Sequence, residues 1–206
     1  VELSWAFSLV VAAPVVGFLL DTSTMQAVFI FMGISLAIGA IGVWLFIESD
    51  VKSKSERQAI KFIGPLETYR IIRQEPTAVF ALLFAICLTS SHEIIFINYG
   101  LWMEQSFDLV LTALGTVTIV IAVAEIIGEF VVITIADKIG TKLASTSGML
   151  VAAIMFAIIP SLSFSLPAAL FGIFIMFIGI EVAIVASFPL FTEILPDARA
   201  VMMSAN

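Results

Sequence analysis

Of 206 residues, 61% are hydrophobic and 12% charged, with a net charge of −7 and a mean hydropathy of +1.18. So few charges cannot cover a soluble domain of this size, so a soluble fold is excluded. The lone Cys87 excludes an internal disulfide, and no basic stripe, nucleotide-binding glycine loop or zinc-ligand set is present, so neither nucleic acid, metal nor cofactor is expected as a partner.

Six apolar segments follow one another, 3–20, 25–47, 77–103, 109–135, 143–164 and 166–195. Each is long enough to cross about 30 Å of hydrocarbon as a helix at 1.5 Å per residue. A membrane barrel instead shows alternating segments of about ten residues. The expected fold class is an all-α membrane protein with about six transmembrane helices in the lipid bilayer.

The first segment contains Ala12-Ala13-Pro14-Val15-Val16-Gly17-Phe18. A proline in mid-helix frees backbone carbonyls and permits bending. After the short link Asp21–Thr24, the second segment carries Gly33, Ala37, Gly39, Ala40 and Gly42, a smooth face that lets helices approach closely. Gly172 and Gly179 do the same in the sixth.

The longest connector, Glu48–Glu75, holds six basic and several acidic residues. Its Gln58–Ile63 and Leu66–Ile72 stretches read as short amphipathic helices on the membrane surface, and Pro76 as the first residue of the third segment. This connector divides the chain into 1–47, 48–76 and 77–206.

The third segment carries His92 and Glu93, the fourth Glu125 and Glu129, and the sixth Glu181. A charged carboxylate at mid-helix costs about 2.5–3.5 kcal/mol, so these four glutamates are expected to face an internal cavity or to be protonated. Glu129 lies one turn from Glu125 on the same face. They are the candidates for proton coupling, with His92 either lining the pore or packing between helices. Cys87 is expected to pack rather than react.

All nine Lys and Arg residues fall in the connectors after the second, fourth and sixth segments. Those after the first, third and fifth hold Asp21, Glu104 and Asp108 instead. Positive loops stay in the cytoplasm, so both ends of the chain are expected there. Val1 is not an initiator Met, and Val201-Met202-Met203-Ser204-Ala205-Asn206 reads as the onset of another apolar segment, so an internal piece of a longer protein is expected.

The turn Asp137-Lys138-Ile139-Gly140-Thr141-Lys142 ends the fourth segment, with Gly140 expected as a left-handed cap. It resembles the cytoplasmic loop motif of the major facilitator superfamily, Gly-x-x-x-Asp-Arg/Lys-x-Gly-x-Arg/Lys, with Asp137, Lys138, Gly140 and Lys142 matching and Ile133 replacing the leading glycine. Pro14 and Gly17 are similar to a helix-five element typical of proton-coupled antiporters, and Tyr99–Phe107 to the outer end of helix seven in bacterial efflux members. The resemblance implies helices five to ten of twelve, with residues 48–76 joining two six-helix halves and the remaining helices supplied by the rest of the chain. It further implies a secondary transporter of the bacterial cytoplasmic membrane, exporting a small molecule in exchange for protons. The alternatives are a membrane-embedded hydrolase using Ser90, Ser91 or His92, and a non-transporting scaffold or sensor. The first lacks a paired nucleophile and base, and the second does not need carboxylates at depth.

Overall fold

A computed structural model describes residues 2–47 and 64–194. The helices are α1 (Glu2–Thr22), α2 (Met25–Phe46), α3 (Pro65–Gln74), α4 (Pro76–Phe107), α5 (Leu111–Val117), α6 (Ile119–Ile139), α7 (Thr141–Ile158) and α8 (Leu166–Ile194), with a 3₁₀ turn at Ile159–Leu162. There is no strand among the described residues. Six helical runs are long and apolar enough to cross a membrane, α5 and α6 together forming one. The all-helical membrane class therefore holds.

Boundaries follow local chemistry. Thr24 caps α2 by accepting a bond from the Ala27 amide. Pro65 and Pro76 open α3 and α4, where a missing amide proton costs nothing. The expected surface helix at Leu66–Ile72 lies within α3, whereas Gln58–Ile63 falls outside the described residues, as do Arg199 and the 201–206 stretch.

The fourth apolar segment differs from expectation, because it is interrupted at Thr118. There the Thr118 hydroxyl donates to the Leu114 carbonyl at 2.8 Å and lies 3.4 Å from the Tyr99 hydroxyl. The Ile121 amide bonds Thr118 three residues back, a locally tightened turn. Side-chain bonding to the preceding turn loosens the helix at this residue.

The core gathers around α8, the most buried of the spanning helices, which packs on α7 and α6. Its glycines work as expected. A methyl group on Gly179 would sit 2.8 Å from the Gly148 carbonyl oxygen, and one on Gly148 would sit 2.6 Å from that of Gly179. The two backbones are thus in direct contact, tied further by Ser145, whose hydroxyl donates to the Ala183 carbonyl at 2.8 Å. On α2 the expected close approach is missing: Gly33, Gly39 and Gly42 meet nothing within 4 Å, and most of that helix is exposed. Cys87, expected to pack, is also exposed.

One end of the bundle collects the connectors without basic residues. The Thr112 amide donates to the Asp21 carboxylate at 2.8 Å, and the Trp102 indole donates to Ser163 at 3.3 Å. At the opposite end Lys142 shares a cleft with Thr77 and Ile194, and Ile72 packs on the cluster of Ala78, Ala85 and Phe191. The sequence asymmetry and the helix arrangement therefore agree on which ends lie together.

Candidate functional site

Glu93, Glu125 and Glu181 lie near the middle of α4, of the α5–α6 run and of α8 respectively. The chain builds their meeting place with small residues and aromatics. Gly128, one turn from Glu125, lets α6 press against α8: a methyl there would lie 2.7 Å from Glu181 Cβ and 2.9 Å from its Cγ. Glu181 is thereby buried flush against α6. His92 stands edge-on to Phe96 and Phe177, with ring centroids 4.9 and 5.9 Å away. Those two phenylalanines are themselves edge-on at 5.4 Å, so two mutually packed rings hold the imidazole in place.

His92 bridges two carboxylates. Its Nε2 is 3.9 Å from Glu125 Oε1 and its Nδ1 is 3.8 Å from Glu93 Oε1. Adjacent residues on a helix point about 100° apart, yet these long side chains still converge. Both separations exceed direct hydrogen bonding, so the link is a charge contact when the imidazole is protonated, or passes through one water. His92 reaches from an exposed carboxylate to a buried one.

The two carboxylates have opposite environments. Glu93 is 62% exposed, whereas Glu125 is 3% exposed and its Oε2 is buried with no hydrogen-bond partner. An ionised carboxylate buried without a partner costs several kcal/mol, so this oxygen is the polar atom of the site that most calls for a partner. Glu129, half-buried one turn further along α6, adds a second acid on the same face.

Elsewhere, Pro14 and Gly17 belong to a separate interface. A methyl on Gly17 would lie 2.5 Å from the Leu111 carbonyl oxygen, and one on Gly115 would lie 2.4 Å from that of Ala13. The α1–α5 crossing is backbone against backbone at both glycines. Lys138 is in the last turn of α6 and Lys142 in the first of α7, at the basic end. Asp137 lies in α6, with its side chain outside the described residues. Gly140 has the expected positive φ of 86°, but its ψ of 146° is extended rather than left-handed helical. The reason is double duty: it ends α6 and caps α7, and a residue preceding a helix takes extended ψ.

Sequence reasoning did not single out Gly115, Gly128, Gly148 or Phe177. Gly128 had a visible signal, since it stands between two acids in Glu125-Ile126-Ile127-Gly128-Glu129.

A family model for the Major Facilitator Superfamily matches residues 1–206. The chain belongs to the major facilitator superfamily. Comparison with curated proteins and with solved structures found no match. As a member of this superfamily it is a multi-pass membrane transporter that moves a small molecule. The carboxylates of α4, α6 and α8 are then intramembrane acids of a transporter, the setting in which ionisable groups mark substrate or proton paths.

Proposed function

We propose that this transporter is a proton-coupled antiporter exporting a small molecule by alternating access, in a bacterial cytoplasmic membrane. The observation that carries the reading is the buried, unpartnered Oε2 of Glu125, with His92 at 3.9 Å leading to exposed Glu93. A proton entering at Glu93 has a short relay through the imidazole to a carboxylate that needs one. Glu129 lies one turn further along α6 toward the basic end, and Glu181 packs against Gly128 between the two α6 acids. A hydrolase is disfavoured by the same geometry, because the Ser91 hydroxyl donates to the Cys87 carbonyl and both imidazole nitrogens face acids.

In this reading α1 and α2 are helices five and six of the first half, residues 48–76 join the halves, and α4 to α8 open the second. The backbone crossing at Gly17 and Gly115 supports that assignment, since it joins an element before the long connector to one after it. Transport driven by a pH gradient, measured with the full-length protein in proteoliposomes, tests the proton site. Glu125→Gln is neutral at every pH and should abolish gradient-driven transport while leaving uncoupled exchange. Unchanged pH dependence in that variant assigns the proton to another helix. Wild-type behaviour of Glu93→Gln, Glu125→Gln and Glu181→Gln alike ends the proton-coupled reading.

A further inference from the structure

Three helices leave a cleft of about 310 Å³ at the basic end of the bundle. It is walled by α4, α7 and α8, whereas α1 packs on α5 and α6, so it stands apart from the crossing of α1 with the later helices. Phe84 on its wall precedes His92 by about 12 Å of helix at 1.5 Å per residue, so the acidic site is separate too.

The chemistry of the cleft changes with depth. α4 and α7 begin at this end and α8 finishes there, so Thr77, Lys142 and Ile194 form the mouth. Phe80, Phe84, Leu190 and Phe191 lie one to two turns deeper and are apolar. The deeper hydroxyls are already engaged: Ser145, Thr146 and Ser187 donate to the carbonyls of Ala183, Lys142 and Ile184. An anion is therefore served only at the mouth. There Lys142 is exposed and makes no ion pair among the described residues. It is also the one charged side chain among the described residues that line the cleft, since Glu75 and Glu193 stay outside it. Phe80 is 71% exposed, so the cleft is open along that side.

We propose that this cleft seats an anionic phospholipid of the leaflet at the basic end. The phosphate sits on Lys142 and Thr77, and the start of one acyl chain runs along Phe80, Phe84 and Leu190 while the rest stays in the bilayer. Charge selects the headgroup. A net anion is matched by Lys142, whereas the quaternary amine of a zwitterionic lipid finds no carboxylate among the described lining residues. The site also has a structural consequence. Phe84, Phe191 and Ile194 border the cleft and belong to the cluster that receives Ile72 of α3. A lipid bound there packs beside the foothold of the connector helix and stabilises its docked state. None of this requires transport to be proton-coupled.

Dioleoylphosphatidylglycerol and dioleoylphosphatidylcholine share their chains and differ in net charge, and serve as probes. Native mass spectrometry of the full-length protein, titrated with each lipid in detergent, counts the retained lipid and gives its affinity. The anionic lipid should bind about fivefold or more tightly, the worth of one basic residue near a membrane surface. Lys142→Gln should bring the two lipids near parity, and Lys142→Arg should keep the preference. Lys138→Gln removes the same charge outside the cleft and should leave the preference in place. Thr77→Trp closes the mouth without touching the charge, and should weaken both lipids while the circular dichroism spectrum stays that of the wild type. The anionic lipid should also raise the unfolding midpoint of the wild type more than that of Lys142→Gln. Equal affinity for the two lipids, a preference that survives Lys142→Gln, or binding indifferent to Thr77→Trp overturns the site. Displacement of the lipid by millimolar inorganic phosphate overturns it as well, by showing a simple anion site. Retention of neither lipid does the same, by showing that other helices of the chain fill the cleft.

Discussion

Gly128 shows how one missing methyl group shapes the site. Its absent Cβ is the space that the Glu181 side-chain stem occupies, so Gly128→Ala must push Glu181 aside or part α6 from α8. Inserting a methyl into a packed interior costs about 1–3 kcal/mol. The variant should therefore lower the unfolding midpoint in detergent, and it should alter transport even where protein survives. Gly39→Ala is the matched control: it meets nothing within 4 Å and should leave stability nearly unchanged. Equal stability of the two variants would mean α6 and α8 do not approach as described. The four glutamates were legible in the sequence because an acid in an apolar run carries an obvious cost. Their differing exposure was not. Helical spacing assigns each acid a face, but nothing local says that Glu93 stays open while Glu125 is buried.

At the scale of elements, the apolar segments were legible nearly to their ends, since length and hydropathy alone decide a spanning helix. The interruption at Thr118 was not, because a threonine in an apolar run gives no breaking signal, and its role depends on Leu114 and Tyr99. The α6–α7 turn was legible in residue type but not in geometry. Gly140 combines φ of 86° with ψ of 146°, a combination that L side chains rarely adopt. Space is no obstacle there, since a methyl would meet nothing within 4 Å. Gly140→Ala is thus a test of backbone strain alone, with an expected loss of about 1–3 kcal/mol in thermal unfolding. Asp137→Asn probes the same turn differently. If the matching motif latches the two halves at the inner face, this variant should cut transport strongly while expression and insertion stay near normal. Full activity would reduce the turn to a helix stop.

Across the whole molecule, the sequence asymmetry and the contacts between connectors lead to one topology. Asp21, Glu104 and Ser163 should label from outside intact cells when changed to Cys, after Cys87→Ser, and Lys138 and Lys142 should not. Labelling of position 138 from outside would overturn the orientation. The end that carries Asp21 also holds the tie most exposed to testing. Asp21 sits at the end of α1, where a helix C-terminus disfavours an anion, yet it accepts the Thr112 amide in the first turn of α5. Its charge is therefore placed for α5 rather than for its own helix, and it fastens α1 to α5 next to the Gly17–Gly115 contact. If the two helices part during each transport cycle, this bond stabilises only the state in which they touch. The Thr112 bonds hold the Asp21 carboxyl below its ordinary range, so the anion is favoured in the state where the helices touch, and Asp21→Ala should shift that equilibrium toward separation. A cysteine at Ala13, whose carbonyl lies under Gly115, should then react correspondingly faster with an impermeant thiol reagent added outside. An unchanged labelling rate, in a variant that still inserts and folds, would show that α1 and α5 remain in contact throughout.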